Sequence, residues 1–130
     1  MTILVAYVPR PEGQTALNKG IEIAGRRKER LVVVNASLDG SKDDPSVADN
    51  RDVERVEQLL SEAGIDATFK QFVRGKSAVE EVEEMVDSLQ VSLLIIGLRK
   101  RTPVGKLFLG SVAQELLLSV PCPVLAVKAK

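Results

Sequence analysis

The most regular feature of the chain is a series of short apolar runs that recur along its length. Residues 3–8, 93–96 and 124–127 are apolar at every position, and residues 31–35 are apolar except for Asn35. Continuous apolar runs are typical of parallel strands whose two faces are both covered. Residues 65–73 alternate loosely between apolar and polar types, as a half-exposed edge strand does. The pattern therefore predicts five strands, with residues 3–8 and 93–96 as the central pair.

Between these runs, apolar residues recur every three or four positions, which is the spacing of an amphipathic helix. Four stripes predict helices over about residues 14–30, 53–63, 77–89 and 111–120, with loops at residues 9–13 and 98–109. Strict alternation of strand and helix predicts one three-layer α/β/α domain around a parallel sheet. Ligands of such folds bind beyond the carboxyl ends of the strands, where the strand order reverses. We therefore look for function in the segments that follow the two central strands.

Composition removes several classes of chemistry. The 130 residues include 18 Lys and Arg, 18 Asp and Glu, one Cys and no His, so the formal net charge is +0. A chain without His has no Ser-His-Asp machinery and no His-ligated zinc. A neutral chain lacks the basic excess that nucleic-acid binding needs. The single Cys122 and the absence of an apolar run of 18 residues predict a cytoplasmic protein without disulfide or membrane span.

The strongest candidate site follows the fourth predicted strand. Residues 98–109 contain four cations, Arg99, Lys100, Arg101 and Lys106, and no acid, and they lead into Gly110-Ser111 at the start of a helix. Free backbone N–H groups at a helix start, next to glycine, attract anions such as a di- or triphosphate. The alternative is a solvent-facing basic loop. Neither a Walker A loop nor a G-x-G-x-x-G fingerprint is present.

The spacing Gly97-x-x-Lys100, nine residues, then Gly110-Ser111-Val112, together with the closing residues 122–127, resembles the universal stress protein family. The resemblance covers the whole chain. It implies a Rossmann-like five-stranded parallel sheet in the order 3-2-1-4-5 and binding of ATP. It also implies that Gly97 lies near the ribose, and that Gly110, Ser111 and Val112 hold the phosphates.

Two positions depart from the family pattern. Lys100 replaces the second glycine of the motif, so that it either adds charge at the phosphates, next to Arg99, or blocks them. Val8 stands where many members have an Asp near the ribose or adenine. The adenine would then rest on backbone groups and apolar surface around Ala6, Tyr7, Val8 and Ala36, with a buried core position as the alternative for Tyr7.

The predicted role is a nucleotide-binding stress-response or regulatory protein that acts as a binding switch. No residue is assigned to catalysis or to a metal site, because no base lies in residues 98–109, and turnover is limited to slow hydrolysis or incidental autophosphorylation. Mg²⁺ or Mn²⁺ would arrive with the phosphates. The resemblance further implies a homodimer paired through the last strand, from Val124 to Val127. Two alternatives stay open: a dimeric interaction module that no longer binds nucleotide, and an enzyme that acts on a phosphorylated or adenylated substrate.

Overall fold

The structure is a computed structural model that describes residues 1–36, 46–72, 77–101, 106–108 and 110–129; for residues 99–101 and 106–108 it describes the backbone alone. Helices and strands alternate along it, except at one short hairpin. The elements, in chain order, are β1 (Thr2–Ala6), α1 (Pro11–Arg27), β2 (Arg30–Ala36), α2 (Asn50–Ala63), β3 (Ala67–Phe72), α3 (Ala78–Ser88), β4 (Val91–Arg101), β5 (Lys106–Phe108), α4 (Ser111–Ser119) and β6 (Val124–Lys128).

Five of the strands form one all-parallel sheet in the order β3-β2-β1-β4-β6. Counted along the parallel strands alone, this is the predicted order 3-2-1-4-5, which is confirmed. Leu4 of β1 is in register with Val32 of β2 on one side and Leu94 of β4 on the other. The strand order reverses between β1 and β4, so the switch point lies between the two strands that were predicted to be central.

Helices cover both faces of the sheet, which explains why its central strands are apolar throughout. Ile3 and Val5 point into a core shared with α1 and α2, whereas Leu4 points into a second core shared with α3 and α4. All three side chains are completely buried. Because neighbouring residues of a strand face opposite sides, a strand buried on both faces cannot contain polar positions without internal partners.

The prediction of a loop over residues 98–109 is wrong in part. β4 continues to Arg101, and Lys106–Phe108 returns antiparallel to it, with Lys100 opposite Leu107. The charges in this segment indicated a loop because a central parallel strand excludes them. A short antiparallel pair at the end of the sheet can face water and therefore tolerates them.

The predicted start of α1 at Gln14 is also wrong, because the helix begins at Pro11. Proline is favourable at the first helical position, where its missing N–H would have no intrahelical partner. Gly13, which indicated a break, lies inside the helix. A Cβ atom there would lie 1.8 Å from the carbonyl oxygen of Val8. Glycine therefore lets the first turn of α1 pack directly on the chain that leaves β1.

Candidate functional site

A cleft opens at the carboxyl ends of β1, β2 and β4, on the face covered by α3 and α4. The space between its walls, counted together with its open mouth, is about 760 Å³. Its walls are mostly apolar, and the residues that line it are Ala6, Tyr7, Val8, Arg10, Glu12, Gly13, Val34, Ala36, Ala78, Val82, Ile96, Gly97, Gly110, Val112, Ala113 and Leu116. The cleft therefore lies where the fold places ligands, next to the switch point.

The start of α4 forms one wall of the cleft and carries no side-chain cap. Gly110 is the N-cap residue, and the first helical bond runs from Gln114 N–H to its carbonyl oxygen at 2.9 Å. The preceding N–H groups, from Ser111 to Ala113, have no partner within the helix. A Cβ atom added to Gly110 would have no heavy atom within 4 Å. A side chain at Gly110 would therefore meet open space, beside an apolar cleft that Gly110, Val112 and Ala113 line.

Gly97 also lines the cleft, but the structure shows that glycine is required at this position for packing. A Cβ atom at this position would lie 2.1 Å from the main-chain oxygen of Glu12 and 2.9 Å from its Cβ atom. The first turn of α1 thus lies directly on β4, and no other residue type fits between them. β4 does not end at Gly97, as the sequence indicated, but passes through it.

The side chain of Tyr7 faces away from the cleft. Tyr7 is 2% exposed, and its ring packs edge-on against Phe69, with the ring centroids 6.2 Å apart, in the core shared with α1 and α2. Burial raises the pKa of the Tyr7 hydroxyl, Asp52 raises it further, and a hydrogen bond with Arg55 lowers it. The structure thus supports the core alternative for this ring, and Tyr7 borders the cleft through its main chain.

A buried amide joins the ends of three strands beside the cleft. Asn35 is completely buried, and its Nδ2 donates to the carbonyl oxygens of Tyr7 at 3.0 Å and Ser46 at 2.8 Å. Its Oδ1 accepts from the Ala48 N–H at 2.8 Å and from Gln71 Nε2 at 3.0 Å. Two donors and two lone pairs are all used, so this side chain fixes the chain after β1 and β2 against β3.

Seven of the ten residues predicted for the site lie around this one cleft: Ala6, Tyr7, Val8, Ala36, Gly97, Gly110 and Val112. Ser111 is exposed at the helix start and does not line the cleft. The side chains of Arg99 and Lys100 lie outside the part of the chain that is described. The structure therefore brings seven of the predicted residues together and leaves Ser111 outside the lining, while the positions of the Arg99 and Lys100 side chains stay predictions.

Sequence reasoning missed the contribution of α1 and α3 to the cleft. The unpredicted lining residues are Arg10, Glu12, Gly13, Val34, Ala78, Val82, Ile96, Ala113 and Leu116. Val82 lay on a predicted helical stripe, which indicates burial but not the neighbouring cavity. Glu12 had a clearer signal, since it is an acidic residue directly after Pro11 in the segment that follows a central strand.

Within the residues that the structure describes, no three Asp, Glu or Cys side chains are grouped closely enough to hold a metal ion. None of the helices described in this chain has the length and apolar character that a membrane span requires.

The sheet, its helices and the cleft at the switch point define a doubly wound α/β protein with a cleft at the position where such folds bind ligands. The family model of the universal stress proteins matches residues 1–128, and the chain belongs to this family. It is 46% identical over 126 residues to a universal stress protein of Mycolicibacterium smegmatis, covering 97% of this chain and 96% of that one. A universal stress protein of Thermus aquaticus is 30% identical over 135 residues, covering 98% of both chains.

Solved structures share the fold. A universal stress protein from Archaeoglobus fulgidus superposes with a TM-score of 0.79 at 25% identity, over 98% of this chain and 97% of that one. The structure of a universal stress protein from the same organism in complex with dAMP gives a TM-score of 0.75 at 20% identity, over 98% and 96%. A universal stress protein in complex with cAMP gives 0.74 at 20% identity, over 100% and 98%.

Proposed function

We propose that this chain binds an adenine nucleotide, ATP, in the cleft and acts as a stress-response or regulatory binding switch in the cytoplasm. The main observation behind this proposal is that the start of α4 has no side-chain cap and that Gly110 and Val112 line an apolar cleft. Such a helix start binds phosphate through its N–H groups and its partial positive charge. The polyphosphate is thus proposed to lie at Gly110, Ser111 and Val112.

The apolar walls give a place for the base. Val34 and Ala36 of β2 lie opposite Ala78 and Val82 of α3, and all four line the cleft. A planar purine gains by leaving water for such a slot, at roughly 25 cal/mol for each Å² of apolar surface that is buried. Recognition of its edge is left to main-chain groups, because Val8 at the end of the first strand segment offers no polar side chain.

Relatives of the same fold support the choice of ligand class. Two of these neighbours were solved in complex with dAMP and with cAMP, and both ligands contain an adenine base. They share the fold with this chain at 20% identity, so they support the ligand class and not its details. Triphosphate is our choice because four cations lie between Gly97 and Gly110 in the sequence.

We propose that Mg²⁺ or Mn²⁺ is carried into the site by the phosphates, which is a common way for Mg²⁺ to bind in nucleotide sites. Fast hydrolysis would require a positioned base or water-orienting group beside the terminal phosphate. The proposal assigns no residue to that role, so we expect at most slow turnover.

A homodimer through β6 is part of the proposal. β6 pairs with β4, and no second strand pairs with it within the described chain. An unpaired strand edge is a template for pairing with another strand. Sedimentation equilibrium should show a dimer at micromolar concentration, and a monomer at all concentrations would contradict this part of the proposal.

The binding proposal is tested first on the wild-type chain. Small molecules released from the purified protein by denaturation are identified by mass spectrometry, and calorimetric titrations follow with ATP, AMP, GTP and cyclic AMP. We expect adenylate binding with ATP preferred. The proposal would be contradicted if no nucleotide were released from the purified protein and if none of the four nucleotides bound in the titrations.

A pair of matched variants then locates the site. Gly110→Val adds a branched side chain over the N–H groups of α4 and should abolish ATP binding without unfolding the chain, because a φ of −60° suits any residue. Gly25→Val, at an exposed position of α1, is the control, since the nearest atom to a Cβ atom at Gly25 is 3.9 Å away. Equal ATP affinities for the two variants would exclude the start of α4.

A dimeric interaction module without nucleotide is the second candidate, and one observation favours it. Leu117 and Leu118 of α4 are 45% and 80% exposed, which is unusual for adjacent large apolar side chains. If the wild-type chain binds none of the nucleotides yet sediments as a dimer, this second function is the better one.

A further inference from the structure

The main-chain pairing of β1 with β2 ends at the border of the cleft. Ala6 of β1 is in register with Val34 of β2, and one further main-chain bond runs from the Tyr7 N–H to the Val34 carbonyl oxygen at 2.8 Å. β2 itself continues for two more residues along β3. Here the described bond between the two strand ends comes from a side chain, since Asn35 Nδ2 donates to the Tyr7 carbonyl oxygen at 3.0 Å. The side chain thus takes the place of the next main-chain bond of the ladder.

The bond from Asn35 fixes the orientation of one peptide unit at the cleft. The carbonyl group of Tyr7 and the N–H of Val8 belong to the same planar unit, so neither can turn without the other. Tyr7 and Val8 line the cleft at the end of β1. Val34 and Ala36, which flank Asn35 in the sequence, line it at the end of β2. Asn35 therefore controls the distance and the angle between the two strand ends that border the cleft.

Asn35 itself lies behind the wall of the cleft. Successive residues of a strand face opposite sides of the sheet, so its side chain is directed away from the side of Val34 and Ala36. It is completely buried and is not among the residues that line the cleft. Its amide is held by three further hydrogen bonds, with Ser46, Ala48 and Gln71. Asn35 can therefore act on a ligand only through the main chain of the strand ends, and it does so from a rigid position.

The two parts of the proposed nucleotide depend on different elements of the fold. The phosphates are assigned to the N–H groups at the start of α4, and none of the four described hydrogen bonds of Asn35 involves α4. The nucleoside is assigned to the apolar part of the cleft, which the ends of β1 and β2 border. A shift of these strand ends should therefore weaken nucleoside binding and leave phosphate binding unchanged.

We propose that Asn35 is a positioning residue for the nucleoside: its bond to the Tyr7 carbonyl oxygen holds the ends of β1 and β2 in the geometry that the nucleoside fits. This inference rests on the proposed function. Val8 has an apolar side chain, so polar recognition at the end of β1 falls to main-chain groups. Such groups recognise a ligand well only where the chain around them is fixed, and Asn35 fixes it where the ladder between the strands has ended.

The test is calorimetric titration of the full chain with ATP and with inorganic tripolyphosphate, which has no nucleoside. Asn35→Leu keeps the size of the side chain, adds no charge and removes the donor to Tyr7. ATP affinity should fall about three- to tenfold, the effect of one neutral hydrogen bond, while tripolyphosphate affinity stays within about twofold of the wild-type value. Gln71→Met is the matched control, because it removes another amide of the same network and leaves the bond to Tyr7. It should keep the wild-type ratio of the two affinities.

The ratio of the ATP and tripolyphosphate affinities separates positioning from folding. Loss of a purely structural Asn35 would change both affinities by the same factor, and an unchanged ratio in Asn35→Leu overturns the inference. An equal change of the ratio in Gln71→Met also overturns it, because the effect would then belong to the whole network and not to the bond with Tyr7.

Should Asn35→Leu fail to fold, NMR spectroscopy of the wild-type chain decides. The side-chain amide signals of Asn35 and the main-chain amide signal of Val8 should shift on saturation with ATP and stay in place with tripolyphosphate. Signals that stay in place with ATP, or that shift equally with both ligands, overturn the inference while the proposed function stands. No adenylate binding at all overturns both.

Discussion

The starts of α2 and α4 show two opposite solutions to the same chemical problem. The N-cap residue of α2 is Asp49, whose carboxylate accepts from the Asp52 N–H at 2.9 Å, while the Asp52 carboxylate accepts from the Asp49 N–H at 3.1 Å. The N-cap residue of α4 is Gly110, which supplies no side-chain cap. A capping box supplies acceptors for the orphan donors of a helix. The α2 start is complete in itself, whereas the α4 start keeps its donors available for a ligand.

Gly110→Asp would make α4 resemble α2 and has the largest expected effect. The new carboxylate would occupy the proposed phosphate position, and like charges in close contact cost several kcal/mol, so ATP affinity should fall about a hundredfold or more. Thermal unfolding should occur at the wild-type temperature or slightly above it, because Asp is a good N-cap. Calorimetry and circular dichroism measure both, with Gly25→Asp as the charge-matched control. If Gly110→Asp bound ATP as tightly as the wild type, the start of α4 would not be the phosphate site, and the proposed difference between the starts of α2 and α4 would be wrong.

Lys100→Ala tests whether the cationic segment before α4 assists its donors. If Lys100 contacts phosphate, its removal should cost about 1.5–3 kcal/mol, or ten- to a hundredfold in ATP affinity. Affinity of the wild type should also fall as salt rises, and less steeply in the variant. Lys19→Ala on the exposed part of α1 is the control. Tighter ATP binding by Lys100→Ala would show that the side chain obstructs the site.

The two glycines of the motif should respond differently to a single added methyl group. Gly97→Ala forces a Cβ atom onto the main chain of Glu12 and should lower the free energy of unfolding by about 1–3 kcal/mol. The Cβ atom of Gly110→Ala would lie in open space, so this variant should change the free energy of unfolding by less than about 0.5 kcal/mol. Urea denaturation of both variants measures the difference. Similar losses of stability would refute the distinction between a packing glycine and a ligand-facing one.

Asp49→Gly makes α2 resemble α4 and has the smallest expected effect. The Asp52 N–H holds the pKa of the Asp49 carboxyl below its ordinary value of 3.8. A lowered pKa in the folded chain means that the stabilisation is present above the ordinary pKa and is lost as pH falls through the folded one. The variant should therefore unfold at a slightly lower temperature at pH 7, with unchanged ATP affinity. The difference should shrink as pH falls below the ordinary pKa of the carboxyl, and a difference that stays constant as the pH is lowered would contradict the role of the charge.

The fold was predictable because local pattern and long-range packing agree in it. Residues 3–8 and 93–96 are apolar on both faces, and the structure buries Ile3, Leu4, Leu94 and Ile95 completely. The hairpin of β5 was missed because its pairing depends on a return of the chain that charge and turn residues do not specify. Strand pairing of three residues leaves too little periodicity to detect.

The candidate site was only partly predictable, and glycine is the reason. Gly13 and Gly97 looked like a helix breaker and a strand end. Each is required by a main-chain contact: Gly13 packs on Val8, five residues earlier, and Gly97 packs on Glu12, which is distant in sequence. Because α1 was predicted to begin at Gln14, Glu12 was assigned to a loop and was not considered for the site. In the structure Glu12 lies in the first turn of α1 and lines the cleft. Gly110 was found because its signal is local: glycine and serine at a helix start, after four cations.

The saturated amide of Asn35 has a consequence for how the molecule opens. Ala48 lies outside any helix or strand, yet its N–H donates to Asn35 Oδ1 in a fully buried position. Exchange of the Ala48 amide proton with solvent requires its hydrogen bond to Asn35 Oδ1 to break. We expect the hydrogen bonds of Asn35 with Tyr7, Ser46 and Gln71 to break at the same time. Hydrogen–deuterium exchange at Ala48 should therefore be as slow as at the middle of β1, a rate set by subglobal unfolding and not by local fluctuation.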